Sequence, residues 1–105
     1  MYKVKVEKGV SKYIHKLGSK EREYFLERFD KLKYDKTGYR LLDRSGNVEL
    51  WELRCQSHRV YYTVENQFIV IENVEYKGNI DVNDASNKNQ QENKIKFLKK
   101  KYLRK

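Results

Sequence analysis

The sequence predicts an α+β fold of order β-α-α-β-β-β-α, with an antiparallel sheet packed on two N-terminal helices and a basic helix at the C-terminus. Three observations carry this expectation. Apolar residues recur at helical spacing between positions 10 and 32, three β-rich runs separated by short polar turns follow between 48 and 76, and the last stretch combines lysines with a sparse apolar stripe. At 105 residues the chain amounts to one domain, 1–105. A domain of this size buries roughly two thirds of its unfolded surface, which excludes a two-lobed enzyme with a deep cleft. Charged residues reach 37%, but 13% aromatic residues mark a folded core rather than a disordered chain.

Taken in order, Tyr2 to Val6 alternates Tyr or Val with Lys, the pattern of a half-buried strand. After Gly9, the residues Val10, Tyr13, Ile14 and Leu17 share one helical face, and Gly18 stops the helix. Ser19 is placed to cap a second helix, with Glu21 and Glu23 near its positive end and Phe25, Phe29 and Leu32 as its buried stripe, Leu26 beside them. Residues 35–47, with Gly38 and Ser45-Gly46-Asn47, read as a loop anchored on the core by Leu41 and Leu42. Val48 to Cys55, Arg59 to Val64 and Phe68 to Tyr76 then form a meander. The polar segment from Lys77 to Gln91 precedes a basic amphipathic helix marked by Ile95, Leu98 and Tyr102.

The charge is uneven. The chain holds 24 Lys or Arg against 15 Asp or Glu, a formal +9. Residues 1–87 contribute +2, whereas 88–105, with Lys88, Lys94, Lys96, Lys99, Lys100, Lys101, Arg104 and Lys105 against Glu92, contribute +7. A basic tail on a nearly neutral body points to a polyanion, nucleic acid first. A lone cysteine, Cys55, makes neither an internal disulfide nor a cysteine-based metal site, so no metal or other cofactor and a reducing, cytoplasmic home are expected. The absence of a signal-like leader or an 18-residue apolar run leads to the expectation of no membrane association.

With Gln56-Ser57 as a two-residue turn, Cys55 faces His58, Arg54 faces Arg59, Leu53 faces Val60, Glu52 faces Tyr61 and Trp51 faces Tyr62. One face then holds Trp51, Leu53, Cys55, Val60, Tyr62 and Val64, which is core material. The other holds Glu52, Arg54, Arg59 and Tyr61. Two guanidiniums directly opposite one another are unfavourable unless an anion lies between them. Glu52 can serve as that anion, as in an ordinary surface ion-pair cluster, and so can a phosphate, which paired guanidiniums match bidentately. Lys77 follows the last strand and is a candidate for the same face. His58 reads as a packed turn residue, His15 as surface and Cys55 as core.

Leu50-Trp51-Glu52-Leu53-Arg54 followed by His58-Arg59-Val60-Tyr61-Tyr62, in this order of elements, resembles the RelE/HigB-type toxins of bacterial toxin–antitoxin pairs. The resemblance implies a RelE-like fold and a small basic ribonuclease that enters the ribosomal A site, cuts mRNA and is held inactive by an acidic antitoxin. It assigns Arg54 and Arg59 to the phosphate, Glu52 or Tyr61 to proton transfer and Lys77 or Tyr102 to auxiliary contacts, with Lys94, Lys99, Lys100 and Lys101 on RNA phosphates. Tyr61 or Trp51 would stack on a base only if exposed, and the face of Trp51 favours core packing. The chain departs from the family pattern at Leu50 and Glu52, where relatives carry lysines, and at Asn83, where they carry a tyrosine. A ParE-like gyrase inhibitor and a non-catalytic nucleic-acid- or protein-binding member are the alternatives.

Overall fold

The computed structural model describes residues 1–77 and 85–103, with side chains of the last helix from Glu92 onward. Asn83, Arg104 and Lys105, and the side chain of Lys88, lie outside the described residues. The elements are β1 (Lys3–Val6), α1 (Lys8–His15), α2 (Ser19–Lys31), β2 (Arg40–Ser45), β3 (Val48–Cys55), β4 (His58–Glu65), β5 (Phe68–Tyr76) and α3 (Ala85–Tyr102). They build one sheet of order β1-β5-β4-β3-β2. The two helices carry the chain from one edge of the sheet to the other. β2 therefore enters opposite β1, and the antiparallel meander returns until β5 lies parallel to β1, with Lys3 beside Phe68 and Val6 beside Ile71.

Several expectations change. Residues 40–45, read as loop, form the edge strand β2. A bulge at Leu42 breaks the alternation that would have revealed it, shifting the register between Leu41–Trp51 and Asp43–Leu50. Leu42 packs on the sheet, but Leu41 is exposed. The first helix begins at Lys8, ahead of Gly9, and the cap of α2 is Gly18, with Ser19 already helical and no side-chain cap bond. Leu26 points to solvent, while Phe25, Phe29 and Leu32 are buried as expected. The turn after β4 has two residues, since Glu65 pairs with Phe68; Gln56 and Asn66, which open the last two turns, both adopt left-handed φ.

The sheet is covered on both faces. On one, Val10, Ile14, Phe25 and Phe29 meet Leu53, Val60, Tyr62 and Ile71 in the main core, with Trp51 stacked on Tyr62 at 6.4 Å between centroids. On the other, Leu98 and Leu103 from the end of the chain cover Val48, Leu50 and Tyr61. The C-terminal helix thus contributes apolar packing as well as charge. It begins at Ala85, inside the stretch read as a polar connection.

Gly38 closes the loop against the sheet. Tyr39 N–H donates to the Glu52 carbonyl at 2.7 Å and the Tyr62 hydroxyl donates to the Lys36 carbonyl at 2.7 Å, leaving no room for a side chain between them. A Cβ on Gly38 would collide with the Tyr62 hydroxyl and come within 2.7 Å of the Glu52 carbonyl oxygen. Gly38→Ala is expected to cost about 1–3 kcal/mol of unfolding free energy in a urea titration, the usual penalty of overpacking a fixed contact.

Candidate functional site

The β3–β4 hairpin has the register derived from its two-residue turn: Arg54 pairs with Arg59, Glu52 with Tyr61 and Trp51 with Tyr62. Alternation sends Leu50, Glu52 and Arg54 of β3 and Arg59 and Tyr61 of β4 to the face opposite α1 and α2. This face is divided. α3 packs on its lower half at Leu50 and Tyr61, and among the described residues no element packs on the charged half near the Gln56-Ser57 turn.

Two further strands complete the charged half. β5 brings Glu75 opposite Arg59, with Nη1 of Arg59 3.5 Å from Oε1 of Glu75. The Lys77 backbone N–H donates to the Ser57 carbonyl at 2.8 Å, tying the end of β5 to the hairpin turn. The Lys77 ammonium then sits close enough to both arginines for its pKa to be lowered, first by burial and then by the charges of Arg54 and Arg59, against an opposing pull from Glu52. β2 adds Arg40 opposite Glu52, Nε to Oε1 3.5 Å. Sequence reading missed Arg40 because the strand that carries it was hidden by the bulge.

Glu52 lies beneath these cations, fully buried, and accepts a hydrogen bond from Nε of Arg54 at 2.9 Å. Its carboxylate orients Arg54, whose Nη groups lie beyond that bond. Arg59 is mostly buried, and its Nε has no hydrogen-bond partner among the described residues. Among the described residues, four cations (Arg40, Arg54, Arg59 and Lys77) thus meet two carboxylates (Glu52 and Glu75). The excess positive charge, held in a fixed array, suits an oxyanion such as a phosphate.

Tyr61, expected on an open face, is fully buried with Leu98 and Leu103 at the end of the chain, so it does not stack on a base. Burial, followed by the charges of Glu75 and Glu52, pushes its hydroxyl pKa well up, and that hydroxyl has no hydrogen-bond partner among the described residues. Of the C-terminal residues, Lys100 and Lys101 are exposed, Lys94 and Lys99 half-buried, and Lys99 lies 3.7 Å from Asp43. The Lys101 ammonium sits over the ring of Tyr102, 5.2 Å from its centroid, and Tyr102 itself packs against the apolar patch under α3.

Other candidate chemistry is structural. His58 is buried among Tyr13, Phe25 and Tyr76, with Nε2 hydrogen-bonded to the Tyr13 hydroxyl at 2.8 Å; burial lowers its pKa against a weaker upward pull from Glu21. Burial pushes the Cys55 thiol up to about 11, although Arg28 opposes it, so Cys55 is a poor nucleophile. Among the described residues no cluster of three or more His, Cys, Asp or Glu side chains is placed to hold a metal ion. Among them, too, no helix is long and apolar enough to cross a membrane.

On the opposite face, Glu49 shows a purely structural ion pair. Burial alone would raise its pKa, but hydrogen bonds from Lys36, the Trp51 indole and Arg44 outweigh this and hold it at about 2. A carboxylate depressed in the folded state stabilises above its unfolded pKa, and that contribution is lost as pH falls from about 4.5 to about 2. Glu49→Gln is therefore expected to be less stable than the parent chain at pH 7. The gap in urea midpoint should narrow steadily when the titration is repeated between pH 4.5 and 2.

No family model matches the sequence, and no curated protein matches it. Solved structures do. The archaeal RelE–RelB complex from Pyrococcus horikoshii OT3 is 28% identical at a TM-score of 0.70, over 75% of this chain and 98% of that one. The isolated E. coli RelE toxin matches in fold at 18% identity and a TM-score of 0.58, over 86% of this chain and 99% of that one. The α+β architecture, the hairpin register and these neighbours agree: the chain has the RelE-type toxin fold, and the likeness supports a toxin of a toxin–antitoxin system.

Proposed function

We propose that the protein is the toxin of such a pair and acts as a cytoplasmic, ribosome-dependent mRNA endonuclease. The observation that carries this reading is the convergence of Arg54, Arg59 and Lys77 over the buried carboxylate of Glu52. The 2′-oxygen of one ribose bonds to the adjacent phosphorus and the bond to the 5′-oxygen breaks, leaving a cyclic phosphate and a 5′-hydroxyl. Arg54 and Arg59 hold the phosphate and take up the negative charge that grows on it in the transition state. Lys77, its pKa lowered by burial and by its cationic neighbours, gives a proton to the leaving oxygen, and water at the open rim takes the proton of the attacking hydroxyl. Glu52 and Tyr61 support the arginines from below.

Among the described residues the arginines lie on a sheet face rather than in a cleft, and three surface clefts are lined by residues other than Arg54, Arg59 and Lys77, one of them by Lys101 and Tyr102. An open site has little means of ordering a flexible RNA by itself, which supports a mechanism in which the ribosome presents the strand. Lys94, Lys99, Lys100, Lys101 and Tyr102 lie on the helix packed beside the site and are assigned to RNA contacts. The RelE–RelB complex among the neighbours supports an antitoxin as protein partner.

Primer extension on an mRNA under translation, with and without the purified protein, tests the reading. Discrete breaks that appear only with ribosomes present are expected. Intact mRNA in cells whose growth the protein arrests would overturn the nuclease and leave a non-catalytic toxin, including a ParE-like gyrase inhibitor.

A further inference from the structure

We propose that Tyr39 forms a nucleobase-stacking subsite beside the phosphate-binding arginines. The inference rests on the reading of Arg54 and Arg59 as an anion site. The Cζ atom of Arg54 lies 3.8 Å from the centroid of the Tyr39 ring, so the guanidinium plane rests on the aromatic face. A guanidinium binds a phosphate through its edge and an aromatic ring through its face, so both contacts coexist on one arginine. Nε of Arg54 is committed to Glu52, which fixes the direction of the remaining edge.

Tyr39 is held but not covered. Its backbone N–H donates to the Glu52 carbonyl at 2.7 Å, and the preceding Gly38 fits only because it has no Cβ. Despite this anchoring, Tyr39 is 57% exposed. With one face of the ring taken by Arg54, that exposure lies on the other face and the rim. A rigid aromatic surface, open on one side and adjacent to a phosphate site, matches what a splayed base of single-stranded RNA requires. Trp51, by contrast, is stacked on Tyr62 against the helices, and Tyr61 is buried. Of the described aromatic residues Trp51, Tyr61 and Tyr62, on this hairpin, and Tyr39, just ahead of the strand beside it, Tyr39 alone offers a free face next to the arginines.

The test compares binding of two labelled probes to the full chain: a single-stranded RNA hexamer and an abasic ribose-phosphate hexamer of the same length. The parent chain is expected to bind the RNA about tenfold more tightly than the abasic probe, the order of magnitude of one base stack. Tyr39→Ala should abolish that preference, and Tyr39→Phe should restore it. A preference that survives Tyr39→Ala, or a parent chain without one, overturns the subsite. Equal weakening of both probes by Tyr39→Ala also overturns it, since Tyr39 would then only position Arg54. Failure of the nuclease reading is separate: it shows as uncut mRNA on ribosomes, with the probe preference intact.

Discussion

Replacing Arg54 and Arg59 together by alanine is expected to lower ribosome-dependent mRNA cleavage by about a thousandfold or more and to abolish growth arrest. Each guanidinium is assigned to charge that develops on the phosphate, and removing one such donor typically costs a factor of about 10² to 10³. The pair acts on one group, so the double variant should lose less than the product of the single losses. Arg59→Ala is the cleaner single change, because its ion-pair partner Glu75 reaches solvent and tolerates the loss. Arg54→Ala also takes from the buried Glu52 the cation 2.9 Å away and leaves it Arg40 at 3.5 Å, so some stability should go with the activity. Arg54→Lys keeps the charge but not the fork and separates the two effects. Circular dichroism and thermal unfolding establish that the variants fold. Cleavage within tenfold of the parent in a folded double variant would sink the site.

Glu52→Ala should produce the largest stability loss among the site variants, about 3 kcal/mol in a urea titration. Removing one partner of a buried ion pair leaves the other charge uncompensated, which commonly costs about 3–5 kcal/mol. The lower end applies because Arg40 and Arg54 both reach water and can relax into it. The same variant should lose activity, since Arg54 would no longer be held and would repel Arg59 across the hairpin. Glu52→Gln keeps the shape and an acceptor for Arg54, so its stability should fall between the two. A Glu52→Ala protein as stable as the parent would show that the carboxylate does not organise the arginines.

Much of this site is legible in the amino-acid sequence alone. A two-residue turn fixes antiparallel pairing, and strict alternation then assigns every side chain of β3 and β4 to a face, so Arg54 opposite Arg59 follows from counting. The helical stripes of Phe25, Phe29 and Ile14 are equally readable, because period and hydrophobicity agree. β2 is not, since a one-residue bulge at Leu42 destroys the period-2 signal and an edge strand needs little apolar character. Arg40 and Tyr39 are hidden with it.

The parallel pairing of β1 with β5 and the docking of α3 by Leu98 and Leu103 depend on partners more than 25 residues away, and no local pattern encodes them. The C-terminal charge is visible as composition, but its division between a packed face and a solvated one is not. The two-stranded register, the buried helical faces and the basic tail are local properties, set by spacing and side-chain chemistry along the chain. Which residues of the charged sheet face stay open is a global one. It is decided only when α3 buries Tyr61, β2 and the residue before it deliver Arg40 and Tyr39, and Lys77 is tied to the turn at Ser57, because each of these contacts joins segments whose proximity exists only in the folded chain.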